Sequence, residues 1–119
     1  MKKILIVDDE PNIVMTLEYT FKKSNYEVFI ARDGQEALDI LKSNFPDVII
    51  LDIMMPMVDG FATLEQIRKD DNLQHTKVMF LSAKNKESDI EKGLALGADA
   101  YMTKPFSIKK VVEKVEELL

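Results

Sequence analysis

The stretch Ile4-Leu5-Ile6-Val7-Asp8-Asp9-Glu10-Pro11, near the start of the chain, decides the fold. It opens with apolar residues that do not alternate with polar ones, which is typical of a strand covered on both faces of a sheet. Acidic residues follow at once, and Pro11 suits the first turn of a helix. The stretch therefore predicts a buried strand, an acidic loop and a helix, in that order.

The same unit recurs along the whole chain. Apolar runs that predict strands lie at residues 4–7, 27–31, 48–51, 78–81 and 100–102. Stretches with the helical spacing of apolar residues lie at residues 12–23, 35–43, 61–69, 87–96 and 108–118. Strict alternation with short links predicts a doubly wound α/β fold, with a five-stranded parallel sheet, right-handed crossovers and helices on both faces.

Residues that favour helix ends agree with this division. Asp33-Gly34, Asp59-Gly60 and Ser107 stand where helices are predicted to begin. Gly97 stands where the fourth helix is predicted to stop. Since the chain has no internal repeat, low-complexity tract or linker, we expect one domain over residues 1–119.

The composition indicates a soluble globular domain. Of 119 residues, 46% are hydrophobic and 31% are charged. The 16 Lys and Arg against 21 Asp and Glu give a net charge of −5, which argues against direct nucleic-acid binding by this chain. The absence of cysteine excludes disulfides and Cys-based zinc sites. No stretch approaches membrane-spanning length, so we expect a cytoplasmic location without membrane contact.

Polar residues that carry chemistry follow four of the predicted strands. They are Asp8, Asp9 and Glu10 after the first strand, Asp52 after the third, Ser82 after the fourth and Lys104 after the fifth. In a parallel α/β sheet the carboxyl ends of all strands lie along one edge, and ligands bind there where the strand order reverses. Four distant segments are therefore predicted to converge on one small site.

A site of this composition indicates a divalent cation. The carboxylates of Asp8, Asp9 and Asp52 would repel one another unless a cation lay among them. Oxygen ligands suit Mg²⁺, which takes one or two carboxylates together with water and phosphate oxygens. Lys104 adds a second positive charge, and Ser82 can donate a hydrogen bond. A carboxylate beside both cations can act as a nucleophile toward a phosphoryl group, because both neutralise charge on the transferred oxygens.

Four motifs resemble those of the receiver domains of two-component response regulators, and the resemblance extends from end to end of the chain. They are Ile4-Leu5-Ile6-Val7-Asp8-Asp9-Glu10-Pro11, Asp52-Ile53-Met54-Met55-Pro56-Met57-Val58-Asp59-Gly60, Leu81-Ser82-Ala83-Lys84 and Gly97-Ala98-Asp99-Ala100-Tyr101-Met102-Thr103-Lys104-Pro105-Phe106. The resemblance implies a CheY-like, flavodoxin-like fold with strand order 2-1-3-4-5 and five helices.

The resemblance also implies the roles of the site residues. Asp52 would accept the phosphoryl group, Asp9 would bind Mg²⁺ directly and Asp8 would hold a metal-bound water. Asp52 and the backbone carbonyl of Met54 would complete the protein ligands. The peptide bond between Lys104 and Pro105 is expected in cis, a state that X-Pro bonds reach at modest cost.

A switch is implied as well. Ser82 stands where the family has a Ser or Thr that moves toward the phosphoryl group. Lys104 stands where the family has its lysine. Tyr101 matches an aromatic residue that changes rotamer between exposed and buried states. Phosphorylation would then shift the surface formed by the fourth helix, fifth strand and fifth helix. Ala100 occupies a position that is often acidic in regulators that dimerise there, so a monomer and a phosphorylation-dependent dimer both stay open.

The implied function is a phosphorylation-activated switch of a two-component system. A sensor histidine kinase or a phosphotransfer protein would supply the phosphoryl group, and an output protein or a C-terminal effector domain would read the change. The chain ends at Leu119, near the natural end of the last helix, which fits a stand-alone regulator or the N-terminal domain of a larger one. We expect no enzyme activity beyond self-phosphorylation and self-dephosphorylation.

Three other functions fit the residues less well. A phosphatase with an aspartyl-phosphate intermediate would need a second acid two residues after Asp52, where Met54 stands, and a cap domain. A flavin protein would need a hydroxyl- and glycine-rich first loop instead of the acidic run Asp8-Asp9-Glu10. A degenerate receiver that only binds proteins would lack Asp52, Asp9 or Lys104, and all three are present.

Some residues keep two interpretations. Lys84 is either a solvated charge or a residue that affects the access of water to the phosphoryl group. Val14, Met15 and Tyr19 of the first helix are either scattered surface residues or a contact for the phosphodonor. His75, the only histidine, is expected to have a surface role and not to take part in catalysis.

Overall fold

The five predicted apolar runs form one parallel sheet in the computed structural model, which describes residues 1–119. The strands are β1 (Lys3–Val7), β2 (Glu27–Ala31), β3 (Val48–Leu51), β4 (Lys77–Ser82) and β5 (Ala100–Thr103). Their order across the sheet is β2-β1-β3-β4-β5, and every neighbouring pair is parallel. The order reverses at β1, so the carboxyl ends of β1 and β3 lie side by side.

Five helices connect or follow these strands. They are α1 (Pro11–Lys23), α2 (Gly34–Ile40), α3 (Gly60–Lys69), α4 (Glu87–Ala95) and α5 (Ile108–Leu118). The expectation of a flavodoxin-like fold with five helices and strand order 2-1-3-4-5 is confirmed. The longest helix, α1, has 13 residues, and no helix is long and apolar enough to span a membrane.

The strands separate two hydrophobic cores. The core beneath α1 and α5 includes Ile4, Ile6, Leu17, Phe21, Val111 and Val115. The core on the opposite face, beneath α2 and α3, includes Leu5, Val7, Ala37, Leu64, Ile67 and Phe80. Successive strand residues alternate between the two, as the pleat requires. Because each fully buried Leu, Ile or Phe contributes about 1.5–3 kcal/mol relative to exposure, burial on both faces explains why β1 and β3 are uninterrupted apolar runs.

The residues predicted to begin helices, and the glycine predicted to stop α4, are confirmed. The side chains of Asp33, Asp59 and Ser107 each accept a hydrogen bond from a backbone N–H in the first turn of α2, α3 and α5. Pro11 occupies the first turn of α1. After α4 the backbone of Gly97 has φ of +109°, in the region that side chains disfavour, so a glycine stops this helix.

The structure differs from the sequence-based prediction at α2. The helix was expected to reach residue 43, and it ends at Ile40. Both the backbone and the side-chain nitrogen of Asn44 donate to the Ile40 carbonyl, at 3.1 and 3.0 Å. The backbone N–H groups of Lys42 and Ser43 donate to carbonyls only three residues back, those of Asp39 and Ile40, both at 3.3 Å, so the chain closes in a tighter turn after Leu41 instead of continuing the α-helix.

A short 3₁₀ helix, Asp71–Leu73, lies between α3 and β4 and was not predicted. The Asp70 carboxylate accepts a hydrogen bond from the Asn72 N–H at 2.9 Å, which begins this turn. The edge strands β2 and β5 are only half-buried for most of their length, because each has a neighbour on one side alone.

An acidic candidate site at the carboxyl edge of the sheet

Strand order brings the ends of four strands to one place. Val7 pairs with Leu51 in the sheet, and the Asp52 N–H donates to the Val7 carbonyl at 2.9 Å, so Asp8 and Asp52 emerge next to each other. On the other side of β3, the last residue of β4 is Ser82. Its carbonyl accepts a hydrogen bond from the Lys104 N–H at 2.9 Å, which fixes the start of the segment after β5.

Asp52 is buried but has one oxygen directed at a cation. Only 3% of the residue is exposed. Its Oδ1 accepts hydrogen bonds from the N–H groups of Ile53 and Met54, at 2.8 and 3.4 Å. Its Oδ2 lies 3.5 Å from the Lys104 Nζ. The backbone thus holds one oxygen in place, and the other faces the site as a base or nucleophile would.

Lys104 is the charge around which the carboxylates gather. Its Nζ donates to Asp8 Oδ2 at 2.9 Å and to Glu10 Oε1 at 3.0 Å, in addition to the contact with Asp52. Burial by itself lowers the pKa of Lys104, but these hydrogen bonds and the charges of Asp52 and Asp8 outweigh burial, and the pKa is raised above its ordinary value. The ammonium group is therefore charged at neutral pH.

The pKa of the Asp8 carboxyl is raised by its surroundings. Burial is the largest influence and raises the pKa of Asp8 above its ordinary value, and the nearby charge of Asp52 adds to this. The Glu10 N–H, which donates to Asp8 Oδ1 at 3.0 Å, and the Lys104 ammonium oppose the rise without cancelling it. The Lys104 ammonium therefore does not fully offset the burial of the Asp8 carboxylate, and a second cation beside Asp8 would lower its pKa.

The donor set fits a hard cation. Oxygens of Asp8, Glu10 and Asp52 lie within 4.8 Å of one another, a spacing that one ion could bridge. Carboxylate oxygens are the ligands that Mg²⁺ prefers. The sequence analysis did not single out Glu10 as a ligand, although it stands in the same acidic run. Asp9, the predicted direct ligand, is exposed and lies outside this group, so its role stays a prediction.

The predicted metal ligand Met54 lies beside the site on the loop after β3. Met54 and Asp9 both line an open cleft of about 640 Å³. Lys84, Phe61 and Lys92 line the same cleft. Ile53, which follows Asp52, also lines this cleft, so an open space adjoins the segment that carries Asp52.

The two predicted switch residues lie on neighbouring strands. Ser82 is fully buried, and its Oγ accepts a hydrogen bond from the Lys84 N–H at 3.3 Å. The Tyr101 hydroxyl donates to the Lys84 carbonyl at 2.6 Å, so both contact the same residue of the loop after β4. The Tyr101 ring lies 5.7 Å from the ring of Phe80, and its half-buried position raises the pKa of its hydroxyl, mainly through burial.

Other residues from the sequence analysis lie at or beyond the rim of the site. The Lys104–Pro105 bond is cis, as expected. His75 precedes β4 and lies at the opposite edge of the sheet, away from Asp52. Met15 and Tyr19 are exposed on α1 to 66% and 68%, which leaves both of their interpretations open.

Fold and site together define the chain as a CheY-like α/β domain with a buried aspartate and lysine at its carboxyl edge. The sequence model of a protein family, the response regulator receiver domain, matches residues 4–116. The chain belongs to this family and is a receiver domain of a two-component response regulator.

Individual similar proteins support this family assignment. The chain is 45% identical over 118 residues to the alkaline phosphatase synthesis transcriptional regulatory protein PhoP of Bacillus subtilis, covering 99% of this chain and 48% of PhoP. It thus spans about half the length of this curated relative. Among solved structures, it is similar to the receiver domain of the Francisella response regulator 1452, with 36% identity, a TM-score of 0.91 and coverage of 99% and 96%. The chemotaxis response regulator CheY4 of Vibrio cholerae has 31% identity, a TM-score of 0.94 and coverage of 100% and 99%.

Proposed function

We propose that the chain is a phosphorylation-activated switch in which Asp52 accepts a phosphoryl group from a phosphohistidine of a sensor kinase or a phosphotransfer protein. The observation that carries this proposal is the arrangement of Asp52. Its Oδ1 is held by backbone N–H groups, while its Oδ2 faces the Lys104 ammonium in a pocket shared with Asp8. This is the geometry of a fixed nucleophile beside a permanent positive charge.

The transfer itself needs few protein groups. A carboxylate oxygen of Asp52 forms a bond to phosphorus while the bond from phosphorus to the partner's imidazole nitrogen breaks, and the imidazole keeps that electron pair and takes up a proton. Lys104 neutralises charge on the transferred oxygens, and Ser82 donates a hydrogen bond to one of them. Mg²⁺ supplies further neutralisation of those oxygens when it is bound.

The proposed ligands of Mg²⁺ are Asp8, Asp9, Asp52 and the backbone carbonyl of Met54. Glu10 joins the candidates because its carboxylate lies with those of Asp8 and Asp52. Since Glu10 also holds Lys104 at 3.0 Å, its side chain must give up that hydrogen bond when a phosphoryl oxygen takes the ammonium. Its exposed position makes this exchange inexpensive.

Output follows from the movement of Ser82 and Tyr101. As Ser82 turns toward the phosphoryl group, the loop through Lys84 moves with it, and Tyr101 loses or changes its hydrogen bond to the Lys84 carbonyl. The ring then takes its buried position and alters the surface of α4, β5 and α5. An output protein or an effector domain reads that surface, and the chain acts as a monomer or as a phosphorylation-dependent dimer.

The proposal includes three further statements. The chain catalyses only its own phosphorylation and dephosphorylation, so it is not an enzyme in the ordinary sense. It works in the cytoplasm, where phosphohistidine donors are formed. It does not bind nucleic acid by itself, since its net charge is −5.

A small-molecule donor tests the acceptor directly. The chain is incubated with acetyl phosphate, with Mg²⁺ or with EDTA, and its intact mass is followed by mass spectrometry. We expect the mass of one added phosphoryl group in the presence of Mg²⁺ only. Hydroxylamine, which attacks acyl phosphates, should release phosphate from the adduct and leave a hydroxamate on the protein.

Two variants complete this test. Asp52→Asn keeps the shape of the side chain and should abolish the adduct. Asp71→Asn removes the same charge from an exposed position at the other edge of the sheet and should leave the adduct unchanged. An adduct that persists in Asp52→Asn, or that forms equally in EDTA, would contradict the proposal.

A further inference from the structure

Arg68, near the end of α3, makes a set of hydrogen bonds that the proposed phosphorylation chemistry does not use. Its Nε donates to the Gly97 carbonyl at 3.1 Å, and its Nη2 contacts Asp99 Oδ2 at 3.0 Å. Its Nη1 donates to the carbonyls of Thr76 and Leu73, at 2.9 and 3.4 Å. One guanidinium therefore joins the loop between α4 and β5 to the segment before β4.

This contact is built into the loop. Gly97 has φ of +109°, and a Cβ at this position would lie 3.2 Å from the side chain of Arg68. Asp99 is held twice, because the oxygen that contacts Arg68 also accepts a hydrogen bond from the Val78 N–H at 2.9 Å. The Asp99 N–H in turn donates to the Val78 carbonyl at 2.8 Å. The Arg68 side chain is only 19% exposed, so solvent weakens its bonds to the backbone carbonyls little, whereas the Asp99 side chain is 29% exposed and its bond to Arg68 is more open to solvent.

The rest of α4 is held far less firmly. Gly93 is its only buried residue, and it rests on the rings of Phe80 and Tyr101. Lys86, at the start of the helix, provides no side-chain hydrogen bond to the first turn, in contrast to the cap residues of α2, α3 and α5. The free start of α4 adjoins the loop that carries Lys84, whereas its end adjoins the Arg68 contact.

From this asymmetry we infer that Arg68 is a positioning residue that holds the C-terminal end of α4 in place. The hydrogen bonds of Arg68 to Gly97, Asp99 and Thr76 are called the pin below. The guanidinium fixes Gly97 and Asp99 on the body of the domain, so that α4 turns about its C-terminal end. Rearrangement during signalling is then confined to the start of α4, the loop before it and Tyr101. The part of this inference that concerns signalling rests on the proposed function, but the pin itself does not.

Hydrogen exchange of the unphosphorylated chain tests the pin. Arg68→Met keeps much of the aliphatic packing and removes every hydrogen bond of the guanidinium. We expect exchange at the amides of Val78, Ala98 and Asp99 to rise roughly tenfold or more, with amides of β1, α1 and β2 unchanged. Lys69→Met removes the same charge from an exposed neighbour on α3 and should leave all of these rates at their wild-type values.

Arg68→Lys separates the geometry of the fork from its charge. An ammonium offers one nitrogen and cannot reach the acceptors on both segments at once. We therefore expect exchange at Ala98 and Asp99 to rise in this variant too, by less than in Arg68→Met. If Arg68→Met does not fold, this variant carries the test alone. Wild-type rates in Arg68→Lys, or a rise that is uniform over the whole chain, would overturn the inference.

The signalling part is tested with beryllofluoride and Mg²⁺, which mimic a phosphoryl group on a carboxylate. In the wild type, we expect amide shift changes at the start of α4 and at Tyr101, with small changes at Gly97 and Asp99. In Arg68→Met the changes should extend to Gly97 and Asp99. If the amide shift changes fall on the same residues in the wild type and in Arg68→Met, this part of the inference is overturned. If beryllofluoride has no effect on the wild type, the proposed function fails, while the exchange experiment still decides the pin.

Discussion

Helices α3 and α4 stand on either side of the cleft beside Asp52, but they are attached to the sheet in different ways. Helix α3 buries Phe61, Thr63, Leu64 and Ile67, as well as its first glycine, and Asp59 caps its start. Helix α4 buries a single glycine and has no side-chain cap. The cation of Lys92 on α4 lies 4.5 Å from the Phe61 ring, which ties the two helices across the cleft.

This difference explains how one site can be both precise and responsive. The α3 side holds the strand end that carries Asp52, and a nucleophile gains from being fixed. Helix α4 itself carries no group that takes part in the transfer, and little apolar area has to be exposed for this helix to move. The comparison predicts that equivalent changes cost much more in α3 than in α4.

The largest expected effect concerns the apolar side chains. Leu64 of α3 is fully buried, whereas Leu94 of α4 is 46% exposed. Leu64→Ala should lower the free energy of unfolding by about 2–5 kcal/mol, because it removes buried area and leaves a cavity. Leu94→Ala should change it by no more than about 0.5 kcal/mol. Urea unfolding at equilibrium measures both, and similar losses would refute the difference between the helices.

The next effect concerns two glycines. A Cβ at Gly60 would strike the backbone of Asp52 and Ile53, which cannot move without displacing the acceptor. Gly60→Ala should therefore cost about 1–3 kcal/mol and slow phosphorylation by acetyl phosphate. A Cβ at Gly93 would meet only the rings of Phe80 and Tyr101, at 3.0 and 3.1 Å, and rings can shift.

Gly93→Ala should accordingly cost less, since alanine favours the helix by about 1 kcal/mol, and should instead change the side-chain resonances of Tyr101. Nuclear magnetic resonance of the tyrosine ring, together with urea unfolding, measures both effects. A larger loss of stability in Gly93→Ala than in Gly60→Ala would contradict the proposed order.

The smallest effect concerns the helix caps. Asp59→Ala removes the hydrogen bond to the Ala62 N–H, 2.9 Å long, and should cost about 1 kcal/mol. Lys86→Ser provides α4 with a cap that it lacks and should add about 0.5 kcal/mol. Thermal and urea unfolding check the signs. A loss in Lys86→Ser would show that the start of α4 is held by contacts other than a cap.

The fold could be predicted from sequence because its signals are local. The apolar run of β1, the proline at the start of α1 and the caps Asp33, Asp59 and Ser107 each act on neighbouring residues. These local signals also locate the strand ends. Because a parallel sheet brings all carboxyl ends to one edge, the proximity of Asp8, Asp52 and Lys104 could be predicted as well. The predicted end of α2 was wrong because the spacing of apolar residues does not show where the last turn tightens to hydrogen bonds three residues apart, as it does at Lys42 and Ser43.

Contacts between distant segments could not be predicted in this way. Arg68 is an ordinary helix residue in sequence, and its partners Thr76, Gly97 and Asp99 become neighbours only in the folded chain. Glu10 reads as one more acid in a run, and nothing local indicates that its side chain turns to Lys104. Long, flexible side chains choose their partners through tertiary packing, which periodicity and caps do not encode.

Amide shift mapping of the wild type with beryllofluoride and Mg²⁺ tests the central claim, that Asp52 is the acceptor and the α4 side responds. We expect large changes around Asp52, in the loop through Lys84, at the start of α4 and at Tyr101, with the buried residues of α3 unchanged. Asp52→Asn should show none of them. Changes that persist in Asp52→Asn, or that fall mainly on α3, would contradict the account.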